Sequence, residues 1–144
     1  MNHLFDFEVS LQCSSNSVEP TVLANALQII PEYAWDNAKR PLSEQRSTRS
    51  REWRYYACFT FKNEGNLNYE DFIDSVFDRL DVAADLLNSI VHPNGRLDLY
   101  TTVYSVEAFA IVLPRDLLRR AGKIGVEWGI EYILLDRKRP SIAG

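Results

Sequence analysis

The side chains best suited to chemistry in this chain are arginines and carboxylates, and each kind is concentrated in one place. Residues 39–54, KRPLSEQRSTRSREWR, hold Lys39, Arg40, Arg46, Arg49, Arg51 and Arg54 against only Glu44 and Glu52. Guanidinium forks pair bidentately with carboxylate or phosphate. Ser43, Ser47, Thr48 and Ser50 supply hydroxyl donors beside them, and Trp35 stands just upstream. Arginine, tryptophan and tyrosine are enriched in interface hot spots. Arg46, Arg49, Arg51, Arg54 and Trp35 are therefore read as contacts for a partner or a small anion. The plain alternative is a solvated surface loop kept soluble by its charge.

The carboxylates follow a different pattern. Glu70, Asp74, Asp78, Asp81 and Asp85 recur at spacings of four, four, three and four, which aligns them along one side of a helix. Only Arg79 stands near enough in sequence to offset them. Like charges at i,i+4 cost an isolated helix about 0.2–0.5 kcal/mol per pair. Such a stripe is easily tolerated as the solvated back of a helix whose apolar side is buried. Its sharper use is as a negative surface, with Asp74, Asp78, Asp81 and Asp85 docking a basic partner through electrostatic complementarity.

Catalytic signatures are missing from the sequence. It contains no GxSxG elbow, phosphate-cradling glycine loop or GxGxxG turn. His3 and His92 are isolated from each other and from Cys13 and Cys58, which gives none of the short ligand spacings of a zinc site. No catalytic residue, cofactor or metal site is assigned, and the enzyme alternative is a site assembled only in three dimensions. Cys13 shares strand parity with Phe7, Val9 and Leu11. Cys58 shares it with Tyr56 and Thr60, so the two thiols are expected to face opposite ways and remain reduced.

Charge sorts the partners. The 144 residues carry a net charge of −4, yet residues 39–54 alone sum to +4, leaving −8 for the remainder. A net-acidic chain lacks the broad basic footprint of nucleic-acid binders, so DNA or RNA is disfavoured as a partner. No apolar run approaches the roughly 20 residues that cross a bilayer, and the start, MNHLFDFEVS, lacks the basic and apolar regions of a signal peptide. A cytoplasmic protein without a membrane partner is expected. Its length fits a single globular domain over 1–144.

The elements that must position these groups are legible in outline. FDFEVSLQC alternates as a half-buried strand. Pro20 opens a short helix to about Gln28. Residues 31–50 show no period and read as a long polar loop. REWRYYACFTFK is a second strand, with Trp53, Tyr55, Ala57, Phe59 and Phe61 on one face. Asn68, with Asp71 three residues on, caps an amphipathic helix running through Leu87. HPNG is a turn, with Asn94 and Gly95 suited to positive φ. RLDLYTTVY and VEAFAIVL read as two further strands; YSVE is a poor hairpin, and one bent strand over 97–113 keeps the same parity. Pro114 opens a helix that Gly122 is expected to stop, and GVEWGIEYILL is the final strand. The tail from 137 to 144 is expected to fray. The fold class is thus α+β: a mainly antiparallel sheet of about five strands with helices packed on one face. The order is β-α-β-α-β-β-α-β, with a ferredoxin-like core from about residue 51.

LFDFEVSL, the proline-led helix, REWRYY and above all LPRDLLRRAGKIGVEWGIEYILL resemble the bacterial and phage family known only as domain of unknown function 4279. The likeness rests on packing patterns and implies no catalytic residue. Small acidic proteins of this kind also resemble immunity proteins, which neutralise a bacterial toxin by binding it. The expected function is accordingly a non-catalytic protein-binding module with a basic toxin domain as partner. The alternatives are a small-anion or nucleotide binder using the arginine loop, or an enzyme.

Overall fold

The structure, a computed structural model, describes residues 5–39, 53–92, 94–107 and 110–135. Five strands form one sheet in the order β2-β3-β1-β4-β5. They are β1 (Phe5–Ser15), β2 (Tyr33–Asp36), β3 (Tyr55–Phe61), β4 (Arg96–Ser105) and β5 (Glu127–Leu134). The helices are α1 (Pro20–Leu27), α2 (Tyr69–Val82), α3 (Ala84–Val91) and α4 (Arg115–Ile124), with a 3₁₀ turn at Asn37–Lys39. All strand pairs are antiparallel except β4 with β5. The α+β class, the mainly antiparallel sheet and the helices on one face are as the sequence indicates.

The period-2 pattern of β1 dictates the layering. Val9, Leu11 and Cys13 are fully covered, as are Ala57 and Phe59 of β3 and Leu97, Leu99 and Val103 of β4. The helices close over this face with Leu23, Ile73, Phe77, Leu80, Leu87 and Ile124. α2 begins as its sequence requires. Asn68 Oδ1 accepts the Asp71 N–H at 2.9 Å, and Asn68 Nδ2 donates back to Asp71 Oδ2 at 3.2 Å, satisfying a donor that the first helical turn leaves open.

Five features differ from the sequence reading. The presumed fourth strand is absent: β4 ends at Ser105, residues 110–114 are irregular, and the chain returns through α4 to lay β5 parallel beside β4. From residue 51 the order is therefore β-α-α-β-α-β, so neither the hairpin nor one bent strand to 113 forms, and the ferredoxin-like order does not hold. The fifth strand is instead β2, inside the stretch read as a polar loop; its four residues, YAWD, are too few to show a period. The expected long helix breaks at Ala83 (φ −103°, ψ 17°) into α2 and α3. The stop of α4 falls at Gly125, in the left-handed region at φ 93°, three residues past Gly122. Gly95 is needed for space instead of positive φ, because a Cβ there would lie 2.1 Å from the Ile90 carbonyl oxygen. The rest of the expected loop, from residue 40, and the tail at 137–144 lie outside the described residues.

Candidate functional site

The even-numbered side chains of β1 point away from the helices, and no second layer covers them among the described residues. Pairing register assigns the rest of this open face: Tyr33 and Trp35 from β2, Tyr56, Cys58 and Thr60 from β3, then Arg96, Asp98, Tyr100, Thr102 and Tyr104 from β4. β5 contributes Glu127, Gly129, Glu131 and Ile133. A polar centre of Ser10, Gln12 and Ser14 on β1 separates two chemically distinct halves.

One half is aromatic. Trp35 stacks on Tyr56 with ring centroids 4.3 Å apart, and Tyr33 lies 6.1 Å from Trp35 and 6.2 Å from Tyr56, all three planes near parallel. Burial pushes the Tyr56 hydroxyl well above its ordinary range. Cys58, beside this stack, is also raised, chiefly by desolvation. Cys13 is raised by its burial on the core face. Both cysteines are free and face opposite ways, as parity requires.

The other half is acidic. Arg96 bridges β4 and β5, its Nε 2.9 Å from Asp98 Oδ2 and its Nη2 2.9 Å from Glu127 Oε2. Tyr100 donates to Glu131 Oε2, and that bond to a carboxylate is the first cause of its raised pKa. Gly129 makes room for the phenol, since a Cβ there would stand 3.0 Å from the Tyr100 ring. Arg96, Asp98, Tyr100 and Glu127, together with Gln12 and Gly129, line a groove of about 460 Å³. Among the described residues, strand positions on the open face carry five carboxylates (Asp6, Glu8, Asp98, Glu127 and Glu131) against Arg96 alone.

The arginine-rich segment is the connection of an edge hairpin whose last strand pair is Asp36 with Tyr55. Its base is tied by Asn37 N–H to the Arg54 carbonyl at 2.7 Å and Asn37 Nδ2 to the Trp53 carbonyl at 3.0 Å. Arg54 is committed within the chain: Nε lies 3.0 Å from Asp36 Oδ1, holding that carboxyl below its ordinary range. Arg46, Arg49 and Arg51 lie outside the described residues. Trp35, singled out by its type alone, stands in the aromatic half of the open face.

The acidic stripe also has an internal counterion. Arg120 of α4 reaches Asp74 at 2.7 Å, Asp78 at 2.8 Å and Asp81 at 2.7 Å, with its guanidinium 5.5 Å from the Phe77 ring centre. Asp74, Asp78 and Asp81 thus clamp α2 to α4. Asp85 stands apart in the first turn of α3. The sequence hid this clamp because Arg120 is 39 residues beyond the nearest of its partners.

A family model described as a domain of unknown function, DUF4279, matches residues 5–135. The chain belongs to that family. The DUF4279 match begins at the first residue of β1 and ends one residue beyond β5, so it takes in every strand of the open face. Searches of curated proteins and of solved structures found no match. Among the described residues, no helix is long and apolar enough to cross a membrane, and no group of His, Cys, Asp and Glu is arranged to hold a metal ion.

Proposed function

We propose that the protein is a non-catalytic protein-binding module whose open sheet face receives a basic partner. In its most specific form the partner is a bacterial toxin domain, neutralised by direct contact as immunity-type proteins do. One observation supports the reading: among the described residues, the Tyr33–Trp35–Tyr56 stack shares a face whose strand positions carry five carboxylates and one arginine. Aromatic rings attract cationic side chains through their electron-rich faces, and carboxylates complete the match. Arg96, already held by Asp98 and Glu127, orders the acidic half without cancelling it.

This moves the partner surface from the helix stripe to the sheet. Asp74, Asp78 and Asp81 retain excess charge around Arg120 and extend the negative field, but their positions serve the α2–α4 clamp. Arg54 already holds a carboxylate, which favours a protein partner over a small anion at the described end of the arginine segment.

The test is titration calorimetry against polypeptides encoded by the neighbouring open reading frames, with wild type and a Glu127→Gln/Glu131→Gln/Asp98→Asn variant. Binding by wild type that weakens at least tenfold in the variant, and falls as salt rises, is the expected result. Equal affinity of the two proteins for a bound partner would overturn the assignment.

A further inference from the structure

At the sheet edge a groove of about 590 Å³ runs between the end of α1, the end of β3 and α2. Its floor is apolar: Phe61, Phe72 and Val76 are 6%, 3% and 1% exposed. Ile29 and Ile30 stand at its mouth, with Ile30 89% exposed, an unusual outlay of apolar surface for a side chain with no packing role. Ser75 stands in the same wall, its hydroxyl donating to the Phe72 carbonyl at 2.6 Å.

Two cations, Lys62 and Arg79, line the same groove. Arg54, Arg96 and Arg120, by contrast, each lie against carboxylates. Among the described residues Lys62 and Arg79 make no ion pair, although Glu64 lines the groove with them. A groove of mixed polar and apolar lining, with buried apolar side chains beneath it, exposed Ile30 at its mouth and two cations at its edge, complements a small molecule with an anionic head and an apolar body. Its volume is in the range of ligand sites.

We propose that this groove binds a small amphipathic carboxylate, its head held by Lys62 and Arg79 and its aliphatic body laid over Phe61, Phe72 and Val76. The groove meets the open sheet face at Thr60 but contains none of Asp98, Glu127 and Glu131, so it is tested separately from the protein-binding role.

The experiment is an amide-resonance titration of the full chain with octanoate, 1-octanol and inorganic phosphate in turn. Octanoate is expected to shift the resonances of Ile29, Phe61, Phe72 and Val76 saturably, with a dissociation constant below about 1 mM. Octanol lacks the charge and phosphate lacks the chain, so each is expected to bind at least about tenfold more weakly. A Lys62→Gln/Arg79→Gln variant, altered only at exposed positions outside any ion pair, is expected to lose about the same factor for octanoate while keeping a native spectrum. Absence of saturable shifts, octanol or phosphate binding as well as octanoate, or an unaffected double variant would each overturn the proposal.

Discussion

Replacing Arg120 by methionine removes the guanidinium that gathers three aspartates while keeping an apolar stem against Phe77. Arg120 is 18% exposed, but its partners Asp74, Asp78 and Asp81 are 58%, 71% and 46% exposed. Solvent screening therefore limits each pair to about 0.5 kcal/mol. Loss of the cation over the Phe77 ring costs about 0.5–1 kcal/mol. Repulsion between Asp74 and Asp78, and between Asp78 and Asp81, then acts without a counterion and adds about 0.5–1 kcal/mol in total. The expected loss is about 3 kcal/mol at low salt. With a urea dependence of about 2 kcal/mol/M for a chain of this size, the midpoint falls by about 1.5 M. Because the Debye length is only about 3 Å in 1 M salt, the loss should shrink by about half there. Asp78→Asn supplies a sign test: it should destabilise the wild type but stabilise the Arg120→Met protein. A midpoint shift below about 0.3 M, or the same sign for Asp78→Asn in both backgrounds, would refute the clamp.

Other expectations follow from local geometry. Gly95→Ala places a methyl against the Ile90 carbonyl, Ile90 Cγ2 and the Ser14 carbonyl, and should cost about 3 kcal/mol in chemical unfolding; a cost below about 1 kcal/mol would contradict the packing of α3 on β1. Phe77→Ala removes a fully buried ring and should cost about 3–5 kcal/mol, read as a drop in melting temperature. Arg54 holds the Asp36 carboxyl below its ordinary 3.8. The lowered folded-state value means that its contribution is complete above the unfolded value and vanishes as pH falls through the folded one. Asp36→Asn should therefore flatten the acid limb of the stability–pH curve below about pH 4, and an unchanged limb would remove the pair from the account. Cys13 and Cys58, both buried with raised pKa, should resist alkylation at pH 8 until the protein is unfolded in urea; rapid native labelling of either, read by mass spectrometry, would contradict their placement.

Local signals in the sequence carried much of this fold. Alternation in FDFEVSLQC and YYACFTF placed β1 and β3 with the correct faces inward, and Pro20 and Asn68 marked the starts of α1 and α2. Long-range signals were silent. β2 is held by pairing with β3 and by stacking of Trp35 on Tyr56, neither of which leaves a periodic trace in four residues. Apolar residues after Ser105 imitate a strand, yet Ile111 and Leu113 pack on the helix-side core as an irregular segment leading to α4. The even parity of β1 and β4 announced a polar face. Only the sheet order reveals that Tyr33, Trp35 and Tyr56 gather at one side of it and Asp98, Glu127 and Glu131 at the other.

The most direct measurement is an amide hydrogen-exchange footprint of the protein bound to a partner identified by calorimetry. Protection is expected across Asp98–Thr102 of β4, Glu127–Glu131 of β5 and the Trp35–Tyr56 pair, with α2 unchanged. Protection confined to Asp74, Asp78 and Asp81 on α2, with the sheet strands exchanging as in the isolated protein, would contradict the assignment of function to the open face.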